Sequence, residues 1–184
     1  MNTSIDDIRI ERLTSKYLDD EFAAAQQSVG HTFPWMEWCR IDLTRDELEP
    51  IFASMEEAWE QEEAYTFAVL DTVSNMFLGT VGLNRINKME KTANLHYWVR
   101  AGCTGRGIAT RAANLAVRFG LSEKGFQRIG IIVPEGNRAS EMVAEKLGAQ
   151  REGIVRNACR LHDQQMNATV YSLIPADLDG VLAV

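Results

Sequence analysis

The stretch from Asn94 to Thr110 constrains the fold more than any other part of this 184-residue chain. Its first half alternates, with Leu95, Tyr97 and Val99 on one side of an extended chain, which is typical of a β-strand. After a turn that contains glycine, the apolar residues between positions 108 and 119 recur at helical spacing. The stretch therefore predicts a strand, a tight turn and a helix in direct succession.

Two glycines, Gly105 and Gly107, lie in this turn immediately before the predicted helix. Glycine lets backbone N–H groups come close to a ligand, and the first turn of a helix has N–H groups without partners inside the helix. These groups and the positive end of the helix dipole favour an anion, above all a phosphate group. The turn is therefore a candidate phosphate-binding loop, and a turn that only joins a strand to a helix is the alternative.

Three phosphate-binding patterns can be compared with this turn. The P-loop needs Gly-x-x-x-x-Gly-Lys-Ser/Thr, which the chain does not contain. A dinucleotide-binding loop needs a third glycine where Thr110 stands, and it normally lies in an early part of the chain. The third pattern, Gln/Arg-x-x-Gly-x-Gly/Ala, matches Gly105 and Gly107 but has Gly102 at its first position. The spacing therefore excludes the first pattern, disfavours the second and leaves the third open.

The composition predicts one globular domain. A chain of 184 residues can bury its own core without disulfides or a metal. Its three widely spaced cysteines suit neither a disulfide framework nor a zinc site. The polar start has no apolar signal segment, and no apolar run reaches the roughly 18 residues that could span a membrane. These features predict a cytoplasmic protein without membrane contact.

The net charge of −7 argues against nucleic acid as a direct partner. Many of the acidic residues are concentrated between Asp46 and Glu63. A solvated helix face explains such a cluster, and attraction of a basic acceptor is the alternative explanation. The charge therefore limits the class of partner without deciding the role of the cluster.

The order of the elements predicts a single domain, residues 1–178, followed by a tail, residues 179–184. Apolar patterns of period two and of period 3.6 distinguish the strands from the helices. The predicted strands are Ile8–Leu13, Tyr65–Leu70, Met76–Leu83, Ala93–Val99, Arg128–Val133, Glu152–Arg160 and Met166–Leu173. The predicted helices are Tyr17–Val29, Asp42–Glu62 with Pro50 near its first turn, the helix after Gly107, and the helix between Asn137 and Gly148. The fold class is α/β (mixed α+β), with helices on a largely antiparallel sheet.

Two further motifs, together with this order of elements, resemble a known superfamily. The GNAT acetyltransferases have the motif Asn-x-x-Ser…Glu-Lys-Leu-Gly-Phe…Glu-Gly. This chain has a similar series: Asn137-Arg138-Ala139-Ser140, then Glu145-Lys146-Leu147-Gly148-Ala149, then Glu152-Gly153. Tyr97-Trp98-Val99 and Pro34-Trp35 resemble the branch that contains the ribosomal-protein alanine and serine N-terminal acetyltransferases. The resemblance covers residues 8–174. It implies a GNAT-like fold, in which a central, largely antiparallel mixed sheet of about seven strands is splayed between strands 4 and 5 and flanked by about four helices.

The resemblance implies an N-acetyltransferase that uses acetyl-CoA as co-substrate and needs no metal. The acetyl group would pass directly to a primary amine, most naturally the N-terminal α-amine of a protein such as a ribosomal protein. The chain departs from the family at Ala144, where many relatives have a tyrosine acid, and at Asn94 and His96, where glutamate and glycine are usual. Two alternatives therefore stay open: acetylation of a small-molecule amine (polyamine, aminoglycoside or amino acid), and a CoA-binding module without catalysis.

The resemblance also assigns candidate site residues. The pyrophosphate would be bound by the backbone amides of one loop, namely those of Cys103, Thr104, Gly105, Arg106, Gly107, Ile108, Ala109 and Thr110. The backbone of Trp98 and Val99 would pair with the pantetheine arm. Asn137 would cap a helix and touch the cofactor. The resemblance implies Ser140 as the acid for the leaving thiolate. His96, where the family has glycine, is the candidate base on its own chemistry, because a histidine titrates near neutral pH. The candidate acceptor-binding residues are His31, Phe33, Trp35 and Trp38. The oligomeric state is left as monomer or homodimer.

Overall fold

The computed structural model describes residues 3–5 and 7–178, so the predicted tail, residues 179–184, lies outside the described residues. The strands are β1 Thr3–Ile5, β2 Ile8–Arg12, β3 Tyr65–Asp71, β4 Phe77–Asn87, β5 Thr92–Val99, β6 Arg128–Pro134, β7 Gln150–Leu161 and β8 Gln164–Leu173. The helices are α1 Leu18–Gln26, α2 Val29–Thr32, α3 Arg45–Glu60, α4 Ile108–Arg118 and α5 Arg138–Lys146.

The strands of the described residues form one mixed sheet in the order β1-β2-β3-β4-β5-β6-β8-β7. Neighbouring strands are antiparallel except for β5 and β6, which run parallel. This parallel pair is short, because its register begins at Thr92–Arg128 and ends at Asn94–Gly130. The structure therefore confirms a largely antiparallel sheet that splays at its centre, with the short strand β1 as an addition to the prediction.

The two faces of the sheet pack against different helices. On the face covered by α4 and α5, here called the α4 face, Leu95 of β5 shares a core with Leu115 and Ala144. On the opposite face, here called the α1 face, Trp98 packs with residues of α1 and α3 that include Leu18 and Phe52. Alternation along β5 thus directs neighbouring side chains into two different environments.

Helix α3 begins with a capping box, in which the Thr44 and Glu47 side chains each accept a hydrogen bond from the other residue's backbone N–H. The sequence predicted Pro50 near the first turn of this helix. Helix α3 begins at Arg45, so Pro50 stands in the second turn instead. Proline has no N–H, so one intrahelical hydrogen bond is missing at that turn.

The predicted helix Tyr17–Val29 is divided in the structure. Helix α1 ends at Gln26, and the one-turn helix α2 follows from Val29 to Thr32. The Ser28 hydroxyl donates a hydrogen bond to the Ala24 carbonyl oxygen at 2.6 Å, which satisfies this buried side chain at the break. The break allows the chain after α2 to reach the end of β5.

Gly79 lies where β4 passes closest to the backbone of β5. Its φ is +145°, and a Cβ there would overlap the Trp98 carbonyl oxygen and lie 2.9 Å from the Val99 Cα. We expect Gly79→Ala to lower the free energy of unfolding by about 3 kcal/mol, because backbone atoms cannot move aside alone. Gly30→Ala is the control, since a Cβ at Gly30 meets nothing within 4 Å. Urea unfolding measures both variants, and equal stabilities would contradict the expectation.

Candidate active site

The splay between β5 and β6 forms a cavity of about 730 Å³. Beyond the Asn94–Gly130 pair, residues 95–99 and 131–134 of the two strands are not paired with each other. Backbone N–H and C=O groups along these facing edges are available to a ligand that adds as a strand. The first turns of α4 and α5 and the segment after α2 form the remaining walls.

The wall at the start of α4 is the predicted phosphate-binding loop. Gly105 has φ +75°, and Gly107, the N-cap of α4, has φ +74°, so both glycines occupy the left-handed region. Within the described part of the chain, no acceptor bonds to the N–H groups of Gly105, Arg106 or Gly107. The first turn of α4 contains no acidic residue. The loop therefore offers unpaired donors and a positive helix end to an anion.

Seven of the eight predicted loop residues, all except Arg106, line the cavity. The Arg106 carbonyl oxygen accepts a hydrogen bond of 3.1 Å from Arg111 Nη1, which holds the loop to α4. Cys103 is largely buried in the core under α4, and it also lines the cavity at the loop. The loop is thus fixed from behind while its other surface faces the cavity.

Ser140 lies in the first turn of α5 and has two partners. Asn137 is the N-cap of this helix, as predicted, and its side-chain oxygen accepts the Ser140 N–H at 3.1 Å. The Tyr97 hydroxyl lies 2.8 Å from Ser140 Oγ and 3.2 Å from the Ser140 carbonyl oxygen. Burial raises the pKa of Tyr97 to about 12, so its hydroxyl stays protonated at neutral pH. Sequence reasoning did not include Tyr97 in the site, although alternation along β5 did place it on the α4 face.

His96 lies on the α1 face of β5, so it is directed away from the Tyr97–Ser140 pair although all three line the same cavity. Its imidazole packs over Gly82, where a Cβ would lie 2.9 Å from Nε2. Burial lowers the pKa of His96 to about 4, and among the described residues the buried Nδ1 has no hydrogen-bond partner. His96 is therefore a neutral imidazole at neutral pH.

The four predicted acceptor residues lie in three different places. His31 and Trp35 line the cavity, with His31 Nε2 3.1 Å from the Val99 carbonyl oxygen. Phe33 packs on His162, with ring centroids 4.7 Å apart. Trp38 packs edge-on against Trp98 and does not itself line the cavity. The structure thus brings two of the four to the cavity.

Residues 31–37, here called the bridging segment, contact both halves of the splayed sheet. His31 meets the end of β5 at Val99, whereas Trp35 packs over Gly136 beyond the end of β6. The Glu37 carboxylate accepts a hydrogen bond from the backbone N–H of His162 in the β7–β8 turn. The bridging segment therefore crosses the wide end of the splay.

Residues 3–5 and 7–178 contain neither a metal-ligand cluster nor a membrane-spanning helix. No group of three or more His, Cys, Asp or Glu side chains in this part is arranged to hold a metal ion. No helix there combines the length and the apolar character needed to cross a membrane.

Comparison with known proteins identifies the family. Residues 7–150 match the family described as Acetyltransferase (GNAT) domain. The ribosomal-protein-serine acetyltransferase of Escherichia coli (strain K12) is 28% identical over 97 residues, which are 53% of this chain and 54% of that protein. The spermidine N(1)-acetyltransferase of the same strain is 30% identical over 90 residues, which are 49% of this chain and 48% of that protein. The chain spans about half the length of these curated relatives.

A solved structure shares the fold almost completely. It is a ribosomal L7/L12 α-N-protein acetyltransferase in complex with coenzyme A, with a TM-score of 0.85 and 16% identity over 95% of this chain and 98% of that one. Because the family match covers most of the chain, it confirms the superfamily that the motifs around Gly105 and Ser140 predicted. This chain belongs to the GNAT acetyltransferase family.

Proposed function

We propose that this protein is an acetyl-CoA-dependent N-acetyltransferase whose acceptor is the N-terminal α-amine of a cytoplasmic protein, such as a ribosomal protein. The observation that carries the proposal is the cavity in the splay, which has the loop at Gly105–Gly107 on one wall and the Ser140–Tyr97 pair on another. The similarity to a ribosomal-protein-serine acetyltransferase supports the acceptor class.

The cavity residues fit acetyl-CoA as co-substrate. The unpaired N–H groups at Gly105, Arg106 and Gly107 would hold the pyrophosphate. Of the predicted pair Trp98 and Val99, the Trp98 carbonyl oxygen faces Gly79 of β4, so the pantetheine arm would add as a strand along the edge of β5 that faces the splay, near Val99. An amide on that edge would also stabilise the oxyanion that forms when the thioester carbonyl is attacked.

Ser140 is the proposed acid. As the amine attacks, a C–N bond forms and the C–S bond breaks, so the departing sulfur needs a proton. Ser140 Oγ donates its proton to the sulfur, and the Tyr97 hydroxyl, 2.8 Å away, donates its proton to Ser140 Oγ. The proton that the amine nitrogen loses passes to water, and water returns one to Tyr97. The reaction therefore needs no covalent acetyl-enzyme.

The acceptor class can be tested by measuring thiol release from acetyl-CoA. Peptides that begin with Ser, Ala or Thr are compared with a panel of small amines that includes spermidine, because a spermidine acetyltransferase is also similar to this chain. We expect saturation at low concentration with at least one peptide. Saturation by a small amine alone would replace the protein acceptor, and tight CoA binding without any transfer would favour a module without catalysis.

The pH dependence tests whether His96 acts as a base. Because burial lowers its pKa to about 4, His96 is already neutral across the working range and gains no basicity as the pH rises. We expect kcat/KM to increase with pH up to about 8, where an α-amine loses its proton, and to show no break near 6.5. Rates from pH 5 to 9 measure this with one peptide. A break near pH 6.5 that His96→Gln removes would instead establish His96 as the base.

A further inference from the structure

A second cavity, of about 360 Å³, lies on the α1 face over β6, β7 and β8. Asn94 and Ile132 line both cavities, so the two meet where β5 and β6 separate. Along β6, Ile131 joins the core under α4, whereas Gly130 and Ile132 are directed to the α1 face. A ligand in this second cavity therefore reaches the splay from the side opposite to α4 and its phosphate-binding loop.

Arg85 lines the second cavity because β4 contains a bulge. The ladder with β5 is regular to Asn84–Asn94 and resumes at Asn87–Thr92, so two residues of β4 oppose Ala93. Ile86 packs toward the core with Ala93. Arg85 is the extra residue and has φ +50°, a conformation that non-glycine residues rarely adopt. The bulge thus directs to the α1 face a side chain that regular alternation would have directed to the core.

The charge of Arg85 is not compensated locally. Among residues 3–5 and 7–178, no acidic side chain forms an ion pair with Arg85. Arg128, the other cation that lines this cavity, pairs with Glu152 at 2.6 Å. Its guanidinium lies along Gly130, where a Cβ would be 3.3 Å from Nη1. Arg85 is therefore the cation here that is free to bind an incoming anion.

The walls of this cavity contrast with the charge of the whole chain. The net charge is −7, yet no acidic side chain is among the described residues that line this cavity. Helix α3, whose acidic residues the sequence offered as an alternative attractant of a basic acceptor, packs against β3. A polycation such as spermidine would thus meet like charge at Arg85, whereas a carboxylate would meet opposite charge.

We propose that the second cavity binds the first residues of the acceptor and that Arg85 pairs with a carboxylate in them. The preferred acceptors would then be protein N-termini with an acidic residue close to the amine. This inference rests on the proposed function, because it assumes that an amine is acetylated at the splay.

The geometry limits where the acidic residue stands. Arg85 follows Asn84, which pairs with Asn94 at the edge of the splay. Strands in a ladder are about 4.8 Å apart and rise about 3.4 Å per residue, so Arg85 Cα is about 6 Å from the Asn94 Cα, where the splay begins. Two residues of extended peptide span about 7 Å. The carboxylate therefore belongs to the second or third residue of the acceptor.

Three peptides test this inference. All begin with Ser and differ only at residues 2 and 3, which are Asp-Asp, Asn-Asn or Lys-Lys. From the size of partly exposed ion pairs, we expect kcat/KM to be about tenfold higher for the Asp peptide than for the Lys peptide. Arg85→Gln should reduce this ratio to about twofold, and Arg85→Glu should favour the Lys peptide.

A matched control separates this local effect from the general charge of the protein. Arg45→Gln removes one positive charge from α3, where Arg45 pairs with Asp19 and Glu49, and should leave the peptide ratio unchanged. Unchanged affinity for CoA in Arg85→Gln shows that the first cavity is intact. Equal rates with the three peptides would overturn the Arg85 subsite and leave the acetyltransferase standing. No turnover of any peptide would overturn the proposed function, and the subsite with it.

Discussion

Ser140→Ala is expected to lower kcat about a hundredfold while the KM for acetyl-CoA changes less than about twofold, because positioned proton donors contribute factors of this size. The Ser140 hydroxyl lines the cavity and lies 2.8 Å from the Tyr97 hydroxyl. The position of the usual tyrosine acid of the family is Ala144, which is fully buried. Initial rates at saturating peptide, with acetyl-CoA varied, measure both constants.

Tyr97→Phe tests whether Tyr97 supplies the proton that Ser140 passes to the leaving sulfur. This change keeps the ring and removes only the hydroxyl, so we expect about a tenfold loss in kcat. The double variant should be hardly slower than Ser140→Ala alone, since Tyr97 would act only through Ser140. Ser122→Ala, at an exposed position, is the control. Full turnover in Ser140→Ala would remove Ser140 from the mechanism.

Gly107→Val is expected to weaken CoA binding by at least about a hundredfold. A β-branched residue is strained at φ +74°, so the loop would have to change its conformation and its N–H groups would lose their arrangement. Gly148→Val is the matched control. Gly148 also has a left-handed φ, +76°, with open space around it, and it lies just beyond the C-terminal end of α5. It introduces comparable backbone strain at a residue that does not line the cavity.

Calorimetric titration with CoA compares the two glycine variants, and thermal unfolding shows that both are folded. We expect near-normal affinity in Gly148→Val, because its strain lowers stability without reaching the cavity. Equal loss of affinity in both variants would mean that general destabilisation, not the loop, decides binding. Normal affinity in Gly107→Val would overturn the assignment of the phosphate-binding loop.

Local patterns predicted the parts of the structure that depend on short stretches of chain. The alternation of Leu95, Tyr97 and Val99 predicted the two environments of β5, and Gly107 predicted the start of α4. Asn137 predicted the cap of α5, because an N-cap needs only residues within one turn. The match of these elements to the order of a known family then predicted the splay.

Contacts between distant residues could not be predicted in this way. Tyr97 and Ser140 are 43 positions apart, and only the packing of α5 on the sheet brings their hydroxyls together. The low pKa of His96 depends on burial over Gly82 in the neighbouring strand. Arg85 escaped prediction because the predicted strand ends at Leu83, whereas β4 continues through a bulge to Asn87.

The meeting of two cavities at Asn94 and Ile132 has a kinetic consequence. The phosphate-binding loop lies on the side of α4, the second cavity lies on the α1 face, and the bridging segment crosses the wide end of the splay. The donor and the acceptor would therefore approach from opposite faces of the sheet and would not compete for one entrance. Both substrates would then be bound together in a ternary complex before any bond changes. Either substrate could then bind first, because neither has to leave before the other can enter.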